Sequence, residues 1–326
     1  MENIILIHKW RQEYVKYAIK QIIKTNPNTN IILLTDDKIL SENFFGEKII
    51  YENICDFFEF ASEFKKIYIH MSYTWYEYEL FCMQRWLIIY EYLMKKWLKD
   101  CFHFDSDVLV FSNLTEYKNN IKKYDFCYTW SCWHCFFSKL KWLEFFKNFV
   151  FQIYQNPEGI ELLKKYHTGE LHSIIYRNNW AFYEDKTKSV TDMILFYLFI
   201  NSDKNIKFHD LWKIENDEVF DNVIWFGEWF DTKCGIKKLK LEDWNIYWFI
   251  KDKRIKFNTV HFQWENKRLM EFYYNKSFWL KYIKALTPYC IKRNFIDKTA
   301  FVLQKIWLYE MVRETYLNMF KRKWKK

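Results

Sequence analysis

The opening of the chain sets its architecture. Asn3 to Ile7 reads as a buried strand, Gln12 to Thr25 carries apolar residues at helical spacing (Tyr14, Ala18, Ile22), and Asn26-Pro27-Asn28 makes a turn. Ile31 to Leu34 is then a second apolar strand, stopping at Thr35-Asp36-Asp37. Two apolar strands joined through one helix form a parallel pair with a right-handed crossover, which brings their C-terminal ends to the same edge. The pattern continues. Glu79 to Leu98 is strongly periodic, with Arg85 inside the apolar run, and predicts a helix. Cys101–Phe104, Val108–Phe111 and Asp125–Trp130 predict strands, followed by helices over Leu140–Gln155, Ile160–Tyr166 and Val190–Ile200. Further strands are expected at Asn205–Phe208, Val223–Phe226 and Phe257–Phe262. Alternating strands and helices make the first half an α/β fold.

Glycine scarcity removes several functions. Five glycines and three prolines in 326 residues are about 2.5% of the chain, against a usual figure of roughly 12%. No G-x-G-x-x-G, G-x-x-x-x-G-K-[ST] or G-x-S-x-G can be written from Gly46, Gly159, Gly169, Gly227 and Gly235. If this chain handles phosphates, metal ions and Lys or Arg must replace the glycine loop. The aromatic share of 22% is equally compatible with an A/T-rich coding sequence and carries no functional weight.

Charge and cysteine usage bear on compartment. The eight cysteines are scattered through apolar segments, as reduced thiols are in a cytosolic protein. Cys132-Trp133-His134-Cys135 has no second C-x-x-C to complete a zinc site. The net charge is +9, of which ten Lys/Arg against three Asp/Glu lie between Pro288 and Lys326. There Phe301, Leu308, Val312 and Met319 recur at helical spacing before a basic end around Trp324. Such a helix suits an anionic membrane surface; a helix packed on the body is the alternative. The expected division is therefore a main domain over 1–287 and a basic helical segment over 288–326, in a cytoplasmic protein that is peripheral to the inner face of a membrane on the first of these two readings. No apolar run spans a bilayer, and no basic stripe elsewhere suggests nucleic acid.

The feature that carries chemistry is Phe102-His103-Phe104-Asp105-Ser106-Asp107-Val108-Leu109-Val110. Two carboxylates two residues apart at the end of an apolar strand can turn toward one hard cation and leave positions for phosphate oxygens. Strand ends in open α/β sheets are where ligands bind. His8, Thr35 and Asp36 end the first two strands and suit hydrogen bonds to a base and ribose, although Thr35-Asp36-Asp37 is equally an ordinary turn. Trp133 and His134 could stack on and bond a sugar, or pack in the core.

The block Phe104-Asp105-Ser106-Asp107-Val108-Leu109-Val110, with an Arg-bearing helix about twenty residues before it (Phe81 to Trp86), resembles the A-type (GT-A fold), metal-dependent glycosyltransferases and is similar to the family-8-like bacterial sugar transferases. Val260-His261-Phe262-Gln263-Trp264-Glu265-Asn266-Lys267 is similar to their His-Phe-x-Gly-x-x-Lys element, with Trp264 where the glycine stands. Ser189-Val190-Thr191-Asp192 resembles the segment that brings a carboxylate to sugar and acceptor.

The resemblance implies a Rossmann-type mixed sheet flanked by helices, with Mn²⁺ or Mg²⁺ held by Asp105, Asp107 and His261. It further implies Arg85, Ser106 and Lys267 at the donor and Asp192 as the catalytic carboxylate. The expected partners are a nucleotide-sugar, UDP-sugar favoured, and a glycan, lipid-linked or protein acceptor, with retention the favoured outcome. The competing readings are a sugar-phosphate nucleotidyltransferase, which also pairs carboxylates around a metal but attacks the α-phosphorus, and a non-enzymatic membrane scaffold, which needs neither Asp107 nor His261.

Overall fold

The computed structural model describes residues 2–10, 12–37, 49–129, 134–171, 189–202, 205–225, 230–233, 236–242, 245–250 and 253–275. The basic segment 288–326, the boundary before it and Trp133 lie outside the described residues.

Strands β1 (Asn3–His8), β2 (Asn30–Thr35) and β3 (Ile49–Asn53) run parallel, and β4 (Cys101–Asp105) joins β1 on its other side, also parallel. The sheet continues through β7 (His134–Phe137), antiparallel to both neighbours, then β6 (Phe126–Tyr128) and β8 (Phe208–Asp210). The full order is β3-β2-β1-β4-β7-β6-β8. The chain leaves β1 toward β2 and returns on its opposite side at β4, so the topological reversal falls between the ends of β1 and β4. The expected mixed α/β sheet flanked by helices is what the chain forms.

Burial on both faces follows from the two-residue period of a strand. Ile5, Ile7, Ile32 and Leu34 pack against helices on one face: α2 (Glu59–Ile67), α3 (Tyr76–Lys95), α5 (Leu140–Gln155), α6 (Pro157–Thr168) and α7 (Asp192–Ser202). Ile4, Leu6, Ile31 and Leu33 face the opposite way, onto α1 (Val15–Thr25) and α4 (Leu114–Ile121). Helix α1 buries Val15, Ala18, Ile19 and Ile22 along one stripe and ends before Pro27, which cannot donate to another helical turn. Helix α3 is buried almost all round from Leu80 to Leu93. Arg85 within it therefore requires a counter-charge.

A second sheet completes the site. Val108–Val110 (β5) leaves the main sheet and pairs antiparallel with the long strand β14 (Lys253–His261). With β9 (Glu218–Phe220), β12 (Lys240–Glu242) and β13 (Asn245–Ile250), β14 builds a core around Leu109, Phe257, Val260 and Phe262. A small ribbon, β10 (Thr232–Lys233) with β11 (Ile236–Lys237), lies beside it in sequence, and α8 (Met270–Asn275) follows. Two sequence expectations are corrected. The strand expected over 205–208 begins only at Phe208, and residues 223–225 form a turn rather than a strand. That turn is occupied in holding His261.

Candidate metal centre

The D-x-D carboxylates straddle the junction of the two sheets. Asp105 is the last residue of β4, and Asp107 immediately precedes β5. In the antiparallel register Val108 opposes His261, and the Phe262 amide donates to the Asp107 carbonyl at 2.9 Å. The backbone ladder alone thus brings residues 154 positions apart together. One ligand atom from each of Asp105, Asp107 and His261 lies within 4.8 Å of the others.

The hydrogen bonds fix how this set is protonated. The Nδ1–H of His261 donates to the Asn222 carbonyl at 2.9 Å, and a carbonyl can only accept. Nε2 then faces Oδ1 of Asp107 at 3.1 Å. In the neutral ring both atoms are acceptors, so the contact calls for a proton or a cation between them. Burial would depress the His261 pKa, but the Asp107 carboxylate overrides it and raises it. For Asp107 burial acts upward, and His261 and then Lys267 outweigh it, holding the carboxyl below its ordinary range. One half-buried and one buried carboxylate with an imidazole of directed lone pair are the donor set of a divalent cation, and the residues present fit one.

Fixed positive charge stands at both ends of the pair. Arg85 donates through Nη1 to Asp105 Oδ1 and through Nη2 to Asp192 Oδ2, each at 2.6 Å, bridging the D-x-D turn to the start of α7. Trp86 Nε1 also donates to Asp192 Oδ2, at 3.0 Å. Burial works against ionisation of Asp105, and Arg85 reverses that, so its carboxyl stays far below the usual range. At the other end Lys267 Nζ lies 3.2 Å from Asp107 Oδ2 and donates to the Tyr14 hydroxyl at 3.1 Å. Burial opposes the Lys267 charge, and Asp107 more than compensates, raising its pKa.

The remaining expected positions are less uniform. His8 Nδ1 is 2.9 Å from Ser106 Oγ, and its buried Nε2 has no hydrogen-bond partner. Burial, then the Lys267 charge, lowers the His8 pKa to about 4, so the ring is neutral. Thr35 Oγ1 accepts from the Asp37 amide, and exposed Asp36 accepts from the Trp10 amide at 3.0 Å, so both serve the turns at this edge. Of the two readings open for His134, sugar contact or core packing, the structure gives the second. His134 is fully buried on β7, with Nδ1 3.2 Å from Thr129 Oγ1 and its ring against Phe104, Phe220 and His261. It packs behind the site instead of opening onto a surface.

Sequence reasoning missed His103, whose buried ring donates from Nδ1 to the Ile5 carbonyl and places Nε2 3.5 Å from Asp105 Oδ1. The signal was available, because residues 103 and 105 share one face of a strand. Tyr14, Asp221 and Asn222 had no such signal.

Trp264, 69% exposed, keeps the backbone conformation that glycine would adopt easily, with φ 54°. That region costs an L-residue roughly 1–2 kcal/mol, and the freedom glycine loses on folding offsets about 0.5–1 kcal/mol of it. Trp264→Gly is expected to raise stability by up to about 1 kcal/mol, read as a higher urea midpoint at unchanged slope. A lower midpoint would show that the indole holds the turn by contacts of its own.

No protein-family model matches the sequence, and no curated protein matches it significantly. Among solved structures the chain is similar to mouse xyloside xylosyltransferase 1, at 9% identity and TM-score 0.44, over 67% of this chain and 87% of that one. It is similar to the galactosyltransferase LgtC in complex with donor and acceptor sugar analogues, at 11% identity and TM-score 0.30, over 44% of this chain and 59% of that one. The glycosyltransferase GlyE of Streptococcus pneumoniae matches at 11% identity and TM-score 0.29, over 70% of each chain. All three are glycosyltransferases; at these TM-scores the chemistry of the site rests on its own geometry.

Proposed function

We propose that this chain is a metal-dependent glycosyltransferase that moves a sugar from a nucleotide-diphosphate sugar, UDP-sugar favoured, to a glycan, lipid-linked or protein acceptor. The observation that carries the reading is the Asp105–Asp107–His261 cluster at the reversal point between β1 and β4, with a buried arginine at one end and a lysine at the other. Asp105, Asp107 and His261 would hold Mn²⁺ or Mg²⁺. When bound, such an ion neutralises charge that develops on a departing diphosphate. Lys267 holds its proton firmly and presents a second positive charge to the same leaving group. Arg85, locked between two carboxylates, fixes the distance from the D-x-D turn to Asp192, which we assign as the carboxylate facing sugar and acceptor. His8 and Ser106, joined at the end of β1, line the nucleotide side.

Incubating the purified protein with UDP-, GDP- and CMP-sugars and Mn²⁺ should release nucleoside diphosphate or monophosphate from one donor class, and EDTA should abolish the release. Pyrophosphate-dependent formation of nucleoside triphosphate would favour the nucleotidyltransferase instead, and no turnover with any donor would count against both. Lys267→Ala should lower kcat and kcat/KM together, because the charge it offers is strongest against the separating diphosphate. A rise in donor KM alone would make Lys267 a binding residue only.

A further inference from the structure

Every polar atom of His261 has a partner, and three of the four partners come from one short segment. Its amide donates to Asp221 Oδ2 at 3.1 Å, its Nδ1–H to the Asn222 carbonyl at 2.9 Å, and its carbonyl accepts from the Ile224 amide at 3.0 Å. Only Nε2 is left to face the carboxylates. The segment is itself anchored from behind. Lys237, on β11, donates through Nζ to Asp221 Oδ1 at 2.5 Å, and the Lys237 amide donates to the Ile224 carbonyl at 2.9 Å. Both side chains of this ion pair are fully buried, and the ammonium lies 5.0 Å from the Phe230 ring centre and 5.9 Å from that of Phe257.

A buried ion pair is a poor source of stability, since apolar residues of similar volume often serve as well or better. Asp221 uses its two oxygens for two tasks, one facing Lys237 and one facing the His261 backbone. We propose that Asp221 is a positioning residue whose oxygen on the His261 amide holds the 221–224 turn around His261, fixing the ring in the tautomer and direction a cation requires, while Lys237 neutralises the buried carboxylate. The inference rests on the metal reading above. Carbonyl or carboxylate partners behind a ligating imidazole orient the ring in this way, and losing them weakens metal affinity about 10- to 100-fold.

The test separates positioning from folding by crossing two variants. Asp221→Asn keeps an oxygen for the His261 amide but strands the Lys237 charge. It should lower the urea midpoint while leaving the Mn²⁺ Kd, titrated by electron paramagnetic resonance without substrate, within about threefold of the parent. The double variant Asp221→Leu with Lys237→Met removes both charges and the acceptor. It should recover most of the stability and raise the Mn²⁺ Kd about 10- to 100-fold. Imidazole ¹⁵N correlations should show Nδ1–H alone at His261 in the parent and a tautomer mixture in the double variant. A parent-like Kd and single tautomer in the double variant would overturn the inference, as would a tenfold loss of affinity in Asp221→Asn. The second outcome needs no double variant that folds. If the parent takes up no Mn²⁺, or Asp107→Asn binds it as tightly as the parent, the metal reading fails and this inference with it. Loss in Asp107→Asn without loss in the double variant overturns the positioning role alone.

Discussion

Asp107→Asn is expected to reduce metal-dependent nucleotide release about 10³-fold while the protein stays folded. Asp107 is 8% exposed, with one oxygen 3.1 Å from His261 Nε2 and the other 3.2 Å from Lys267 Nζ. Asparagine preserves the volume but supplies one oxygen and an N–H₂ group, which must turn toward one of these two positive or proton-bearing neighbours. The candidate donor set then falls from two carboxylates to one. A bound divalent ion supplies several kcal/mol of charge stabilisation to a transition state, and each 1.36 kcal/mol is about tenfold in rate; hence the expected size. The variant should also lose Mn²⁺ binding in the absence of donor. Unchanged turnover would reject the site. Lost turnover with parent-like Mn²⁺ binding would reduce Asp107 to a partner of His261 and Lys267. Circular dichroism and the urea midpoint check that the fold survives.

How much of this was legible in the sequence depended on whether a contact was local. The β1–α1–β2 unit could be read directly, because two short apolar runs and a periodic helix broken at Pro27 satisfy the patterns of their own elements. Asp105 and Asp107 could be read because bare carboxylates at the end of an apolar strand need a partner. His261 and Lys267 became legible only through the spacing of a resembling block, since nothing local says that β14 will pair with β5. The clasp around His261 was not legible. Val223 and Ile224 are apolar and β-favouring, and they suggested a strand, yet the amide of Ile224 and the carbonyls of Asn222 and Ile224 are consumed by His261 and Lys237 in place of a ladder. Lys237 lies in a Lys-rich stretch that carries no signal of burial, and it is fully buried. His134 allowed both a ligand contact and core packing, and antiparallel pairing of β7 with β4 carries it into the core. Tertiary pairing set these three outcomes, and no pattern within a window of ten residues encodes it.

The same logic gives the second large expected effect, at a residue that the sequence shows only as an acid in the first turn of a helix. Glu79 is 2% exposed. Its Oε2 accepts from the Thr74 hydroxyl at 2.6 Å and the Ser72 hydroxyl at 3.1 Å, while Oε1 is buried with no hydrogen-bond partner. Tyr68, Cys82 and Tyr154 lie around it, and the Asp192 and Arg85 charges act on it. Burial, and after it the Asp192 charge, raises its pKa to about 7, against the opposing pull of Thr74, Ser72 and Arg85. For an acid with a folded pKa above its unfolded one, the folded state holds the proton more tightly. Between pH 4.5 and 7 the unfolded chain has released that proton and the folded one has not, so stability falls as pH rises through this window and stays reduced above it. A displacement of this size corresponds to about 3 kcal/mol. Glu79→Gln keeps an oxygen for both hydroxyls and removes the charge. It should therefore be more stable than the parent by about 2–3 kcal/mol at pH 8 and show little difference at pH 4.5, read as urea midpoints at the two pH values. A difference that does not change with pH would mean that Glu79 titrates as an ordinary carboxylate. A loss of stability at pH 8 would mean that its neighbours stabilise the charge. Ser72 Oγ also lies 2.6 Å from Ser189 Oγ, and the Val190 amide donates to the Met71 carbonyl at 2.6 Å, so this carboxyl sits behind the segment that delivers Asp192. Alkaline loosening in the parent should therefore be detected first as faster amide exchange at Val190, and the glutamine variant should suppress it.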